Sequence, residues 1–307
     1  MTESRKILVI GSSNTDMTVK AGKLPSPGET VMGGKFSMGR GGKGANQAVA
    51  AKRLGGDVIF VCKVGRDLFG ESSLKSYQEE KIDTSYILYS EQPSGVALIN
   101  VDADGENSIS VAPGANMEFT PGDVAGLEDV IRSAAILVLQ LEIPVETVME
   151  AARIASEAGV YVILNPAPAC CLPSEIFKYV SLLIPNETEA GQLSGINVTD
   201  GSSAQEAASV MMEKGVKNVI ITLGSKGSVI YSEEGAEMIP SRKVKAADTT
   251  AAGDTYCGAL SVALAEGKSL REAAEFATAA SSIAVTRHGA QESIPSRLEV
   301  DSLMASK

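Results

Sequence analysis

The sequence predicts an α/β fold: one domain over residues 1–307, built on a doubly wound, mostly parallel sheet with helices on both faces, plus a small β-sheet lid. Three observations predict it. Short apolar runs alternate with stretches of about 10 to 15 residues at helical spacing, the pattern of successive βαβ units. Those runs, Ile7–Ile10 and Val160–Leu164 among them, are apolar almost throughout, as strands covered on both faces are. By contrast, Ser94–Val101 and Asn107–Ala112 alternate around Asp104-Gly105, a hairpin signal that marks a sheet with one face exposed.

Composition narrows the function classes. The chain has 307 residues, 44% of them apolar and 21% charged, which fits a soluble globular protein with a sizeable core. A net charge of −11 argues against nucleic acid or an acidic membrane surface as partner. The first apolar run is too short for a signal sequence or a membrane span, so a cytoplasmic protein is expected. Cys62, Cys170, Cys171 and Cys257 lack CxxC spacing and read as reduced thiols, Cys257 as helix packing. With His288 as the one histidine, multi-His metal sites are ruled out and a Ser-His-Asp machine has little to stand on.

Taken in order, Arg5–Gly11 reads as the first buried strand. It delivers Asn14 and Asp16 on a loop at its C-terminal end, where open α/β sheets put ligands. Met17–Met38 is rich in Pro and Gly and reads as loops with short exposed strands, such as Thr30–Met32. The run Gly39 to Asn46 formally matches GxGxxG. It does not directly follow the first strand, however, and no acidic residue stands about 20 positions on in the right context. Lys43 is followed by Gly44 and not by Ser or Thr, so the P-loop pattern fails as well. What remains is a Gly-rich helix start carrying Lys43 and Asn46, with the helix running through Gln47 to Leu54. A strand follows at Asp57–Val64, then a turn into a helix ending near Glu80.

From Thr120 the alternation resumes with a helix to Arg132 and the strand Ala135–Gln140, which leads into Glu142. Next come the helix Val145–Ala158, the strand Val160–Leu164 and the turn Asn165 to Pro168. The strand Val180–Ile184 leads to Asn186, which caps the next helix with Glu189 three residues on, as in a capping box. Ala204–Lys214 reads as a helix and Asn218–Thr222 as a strand. Thr222–Gly227 reads as a tight turn into the strand Ser228–Tyr231. A strand at Ser241–Ala246, helices at Asp254–Glu266 and Ser269–Val285 and a polar tail complete the chain. Right-handed crossovers then place Asn14, Glu142, Asn186 and Thr222 along one edge of the sheet.

The stretch Asp248-Thr-Thr-Ala251-Ala252-Gly253-Asp254 organises the rest. Small residues before a helix let backbone N–H groups converge on an anion, and the helix start adds positive potential. A carboxylate there suits chemistry in which an anion arrives while a proton leaves, as in phosphoryl transfer to a hydroxyl. Alone, the stretch also reads as a small-residue helix start with an acidic N-cap.

Gly41-Gly-Lys43-Gly-Ala-Asn46 with Gly55 and Gly65, and Asp248 to Asp254 with Gly258, resemble the two signatures of the ribokinase-like (PfkB) sugar kinases. Asn14-Thr-Asp16, Gln140-Leu-Glu142, Asn165 to Ala169, Pro185 to Glu189 and Thr222 to Gly227 lie between them in the family's order. The resemblance runs from about Lys6 to Ser296. It implies that Asp254 is the base and that the backbone of Ala251, Ala252, Gly253 and Asp254 forms an anion hole. Asn14, Asp16, Gly42, Lys43, Asn46 and Glu142 would hold a small furanose, with ribose first and deoxyribose, fructose and adenosine left open. Asn186, Thr222, Leu223, Gly224, Ser225, Lys226, Gly227, Gly253 and Thr278 would hold ATP, though Thr278 cannot stack on adenine. Glu189 would organise Mg²⁺ through water. Asp248, Thr250, Ala284, Arg287, Gly289 and Ser293 would bind an activating K⁺. Residues 17–38 and 94–112 would form the lid and a homodimer interface. A non-catalytic sugar-binding protein on the same fold is the alternative of another class.

Overall fold

The computed structural model describes residues 5–306; residues 1–4 and 307 of the expected domain lie outside the described residues. An eight-stranded sheet runs in the order Gly235–Ile239, Ser228–Ser232, Asn218–Thr222, Leu182–Leu183, Tyr161–Leu164, Ile136–Leu139, Ile7–Ile10 and Val58–Val61. Every pairing is parallel except the two made by Ser228–Ser232, which are antiparallel. The two-residue period of a strand sorts its side chains to opposite faces. Ile7, Val9, Phe60, Val138 and Ile163 share one face with the helices Lys43–Arg53, Ala252–Ala265 and Leu270–Ala284. Leu8, Ile10, Val61, Leu139 and Leu164 share the other with Val145–Glu157 and Gly201–Glu213. Because both faces are covered, the strands are continuous apolar runs.

A second sheet of four strands has the order Lys35–Gly41, Asn14–Lys20, Gly95–Val101, Asn107–Ala112. Phe36, Met38, Leu98, Ile109 and Val111 in it are each more than half exposed. Asn14 and Asp16 therefore stand on a strand, not on a loop. Their backbone pairs with Gly39–Gly41 on one side and Gly95–Ala97 on the other. Thr30–Met32 forms no strand.

Other differences have local causes. Ser241–Ala246 makes no strand. The edge strand is instead Gly235–Ile239, and Pro240, which has no N–H to donate, ends it. The stretch from Thr120 to Arg132 forms two helices, Pro121–Ala125 and Glu128–Ser133, broken at Gly126-Leu127. The polar tail contains the helix Arg297–Ala305, opened by a capping box between Ser296 and Glu299.

What positions the site is a close crossing of two helices, Lys43–Arg53 and Ala252–Ala265. A Cβ at Gly258 would lie 2.6 Å from the Ala50 Cβ and 2.7 Å from the Gln47 carbonyl oxygen. Gly258→Ala gains about 1 kcal/mol of helix propensity but forces the helices apart, for a net loss of about 1–3 kcal/mol. Thermal unfolding should therefore show a lower Tm; an unchanged or higher Tm would mean that the helices separate freely.

Candidate active site

The helix Ala252–Ala265 starts after Ala251, whose φ of 57° and ψ of 13° are left-handed and which supplies no side-chain cap. Asp254 is the third residue inside the helix, so the acidic N-cap reading does not hold. Its side chain is turned inward and only 6% exposed. Asn46 Nδ2 donates to one carboxylate oxygen at 2.9 Å and Gln47 Nε2 to the other at 3.0 Å. Ala252 N–H turns back to the Thr249 carbonyl at 3.2 Å. The N–H groups of Gly253 and Asp254 follow in the first turn, where no carbonyl lies four residues back within the helix. A Cβ at Gly253 would meet no protein atom within 4 Å, yet Gly253 lines a cavity. The space beside this helix start is thus kept for something outside the chain.

That cavity, about 190 Å³, is walled by Lys43, Asn165, Asn186, Glu189, Thr222, Thr249, Ala251 to Asp254 and Cys257. Burial pulls the Lys43 ammonium down, but the carboxylates of Asp254, Glu142 and Glu189 outweigh it and hold it above its ordinary value. Burial pushes the Glu189 carboxyl up, against the Asn186 N–H and the Lys43 charge. Glu189 and Asn186 form a reciprocal capping box, with N–H to oxygen distances of 2.9 and 2.8 Å. Burial also pushes the Cys257 thiol well up, so it stays protonated.

Glu142 sits at the start of the Gly-rich helix. It accepts from Ser12 Oγ at 2.5 Å and from the Lys43 N–H at 2.9 Å. Gly42, the N-cap, has no side chain to do this, so a carboxylate 99 residues away satisfies the helix start. Asn14 Oδ1 accepts from the buried Asn116 Nδ2 at 2.8 Å. Asp16 is pushed up to about 7, first by burial and then by the carboxylates of Glu142, Glu292 and Asp254. Asn14 and Asp16 on one strand, Lys43 and Asn46 on one helix, Glu142 past Ile136–Leu139 and Asp254 on a second helix thus come from four parts of the chain to the C-terminal ends of the strands.

The remaining expected residues are placed as follows. Thr222 reaches the cavity, but Leu223 is packed into the core, and Lys226 Nζ donates to the Thr199 carbonyl at 2.7 Å. Gly224–Lys226 form a single 3₁₀ turn closed by Gly227, and Ser225 presents its carbonyl to Ser241 Oγ. Thr278 is 8% exposed and near the buried Tyr256, whose hydroxyl pairs with Ser228 Oγ at 3.1 Å. Asp248 accepts from the Thr250 N–H at 2.9 Å, the Thr250 hydroxyl at 2.6 Å and the Gly289 N–H at 3.0 Å. Burial raises the Asp248 carboxyl, but these bonds, with His288 close by, hold it below the usual range. Ala247 and Asp248 N–H groups both reach the Val285 carbonyl, just past Ala284. Ser293 Oγ donates to the Ala290 carbonyl at 2.7 Å, while the Arg287 guanidinium turns away to Glu299. Among the described residues there is no cluster of three or more His, Cys, Asp or Glu side chains able to hold a metal.

Four contributors were not singled out as site residues by sequence reasoning: Gln47, Gln140, Asn165 and Asn116. Gln47 Nε2 also donates to Asn165 Oδ1 at 3.1 Å, and Gln140 Nε2 donates to Gln47 Oε1 at 2.7 Å. The available signal was a long polar side chain in an apolar run: Gln47 among alanines, Gln140 at the end of Ile136–Leu139.

The pfkB family carbohydrate kinase model matches residues 4–297. A ribokinase of Haemophilus influenzae is 44% identical over 296 residues, covering 96% of this chain and 97% of that protein. A deoxyribokinase of Salmonella typhi is 35% identical over 294 residues, covering 94% and 95%. Arabidopsis thaliana ribokinase, solved with ribose and ATP, superimposes with a TM-score of 0.94 at 33% identity, covering 99% of this chain and 100% of that one.

Two tests follow from this geometry. With its carboxyl raised from 3.8 to about 7 on folding, Asp16 contributes stability that is full below about pH 4 and lost as pH rises to about 7. Relative to Asp16→Asn, the ligand-free protein should lose Tm across that window and level off above it; a difference independent of pH removes the assignment. Gly253→Ala should fold normally and gain up to about 1 kcal/mol from helix propensity. Its added methyl occupies the ligand side, so phosphoryl-transfer turnover should fall at least ~10-fold, as a displaced reactant does. Full turnover would mean that nothing approaches there.

Proposed function

The chain belongs to the pfkB family of carbohydrate kinases, and on that premise we propose that it is a ribokinase, transferring the γ-phosphoryl group of ATP to the 5-hydroxyl of D-ribose. The observation that carries the reading is Asp254. It is a buried carboxylate held by two amides at a helix start whose first residues line a cavity shared with Lys43 and Glu189. Asp254 takes the proton of the hydroxyl as its oxygen attacks the γ-phosphorus. The bond to the β–γ bridging oxygen breaks, and ADP leaves with that electron pair. The first-turn N–H groups and Lys43 meet the charge on the transferred group.

Asn14, Asp16, Gly42, Asn46 and Glu142 offer hydrogen-bonding groups that suit sugar hydroxyls, with no apolar shelf for a base. Asp16 has a protonated form available near neutrality, so it can donate as well as accept. Asn186 and the Thr222–Gly227 turn take the nucleotide, with Thr278 lending no stacking to the adenine. Glu189 uses one oxygen in its capping box and lines the cavity, and its other oxygen suits a hydrated Mg²⁺, which would neutralise phosphate charge. The oxygens of Asp248 and Thr250, with carbonyls near Ala284, Arg287, Gly289 and Ser293, suit K⁺. A cation there would stiffen the loop before the helix start without entering the chemistry.

The whole chain acts as one kinase domain. Residues 17–38 and 94–112 act as its lid, and the exposed Phe36, Met38, Leu98, Ile109 and Val111 suit a homodimer contact through that lid. Among the described residues no helix is long and apolar enough to cross a membrane, which fits a cytoplasmic location. The deoxyribokinase relative makes deoxyribose the second candidate sugar.

The test is ADP release from Mg-ATP with ribose, deoxyribose, fructose and adenosine, each in K⁺ and in Na⁺. Ribose should be turned over fastest, and faster in K⁺. Asp254→Asn should lose at least ~10²-fold in turnover while ribose binding stays within a few-fold. Another preferred sugar overturns the pocket reading, equal rates in both salts overturn the cation reading, and an active Asp254→Asn overturns the base.

A further inference from the structure

We propose that Gln47 is a positioning residue for the Asp254 carboxylate and that Gln140 acts through it, holding its amide in the orientation that donates to Asp254. The proposal deepens the reading of Asp254 as base and rests on it.

Gln47 and Gln140 are fully buried, and Asn165 is nearly so. Their amides form one chain with a single polarity. Asn165 Nδ2 donates to the Ile184 carbonyl at 2.8 Å. That backbone group can only accept, so Asn165 must aim its NH₂ there and its oxygen at Gln47. Gln47 must then present its own NH₂, one hydrogen to Asn165 Oδ1 and one to Asp254 Oδ1. Its oxygen is left for Gln140 Nε2 at 2.7 Å. A fixed carbonyl thus sets the direction of three side chains, and that direction ends on the carboxylate. Asn46, next to Gln47 on the same helix, takes the other oxygen, so the plane of the carboxylate is held from both sides.

Gln140 is the unexplained member. Its Oε1 is buried with no hydrogen-bond partner, lying 2.0 Å from where a Cβ on Gly11 would be. An orphaned buried carbonyl costs about 1–3 kcal/mol. An apolar side chain of similar volume would avoid that cost. The retained amide is accounted for by its one bond, which anchors the far end of Gln47, a side chain with three free torsions, against drift away from Asp254.

Steady-state kinetics of Gln47→Met, Gln140→Met and the double variant, on whichever sugar the parent protein phosphorylates, test this. Gln47→Met should lower kcat about 10- to 100-fold with both KM values within about 3-fold, since a base displaced by about 1 Å costs that much. Gln140→Met should lower kcat less, and the double variant should be no slower than Gln47→Met alone. Unchanged kcat in Gln47→Met, a rise in KM without loss of kcat, or losses that multiply in the double variant would each overturn the proposal. Gln47→Asn, one methylene too short, serves if Gln47→Met does not fold. Turnover retained in Asp254→Asn would instead remove the base reading itself, so the two failures are distinguishable.

Discussion

A carboxylate inside a protein is costly unless hydrogen-bond donors meet it. That constraint on Asp254 governs much of the rest. Its two amide donors come from the Gly-rich helix, so that helix must cross the helix bearing Asp254 closely, and Gly258 exists at the crossing because even a methyl would not fit. The crossing fixes where the Gly-rich helix begins, and therefore where Lys43 stands. Glu142 then completes that helix start from the end of another strand. One requirement for satisfied hydrogen bonds thus locks together the residues around the cavity.

The two sheets divide the work. The large sheet is rigid and apolar on both faces, and the Glu142, Asn186 and Thr222 groups are carried where its parallel strands end. The small sheet takes up the chain almost at once after the first of those strands. Asn14 and Asp16 are therefore part of the small sheet itself. Any movement of the small sheet moves them with it, so under the proposed function hydrogen bonding to the sugar would depend on the position of that sheet.

Much of this was legible in the sequence. Apolar runs and turn chemistry gave the parallel strands and the hairpin, because burial on two faces and φ > 0 in tight turns leave direct marks on composition. The Asn186–Glu189 box was readable because capping is local. Reading failed where partners are distant. Nothing near Asn14 says that its backbone will pair with Gly39–Gly41 and Gly95–Ala97, so a strand looked like a loop. The alternation of Ser241–Ala246 was real but had no ladder to join, while Gly235–Ile239, short and part-polar, found one. Gln47 and Gln140 belong to the same class: a polar side chain in an apolar segment shows that a partner exists without naming it.

The order of the large sheet has a bearing on how the chain is made. From Val58–Val61 and Ile7–Ile10 outward, every later strand adds to the growing edge in the sequence in which it leaves the ribosome. The helix Ala252–Ala265 breaks that order, returning to cover the face laid down first. Asn46 and Gln47 wait 208 and 207 residues for Asp254. At about 5–20 residues per second of synthesis, that is roughly 10 to 40 s during which that face of the oldest strands is covered by Lys43–Arg53 without its later partner. Throughout that interval the side of the Gly-rich helix that Gly258 meets stays open, and the amides of Asn46 and Gln47 lack the carboxylate they hold in the finished fold.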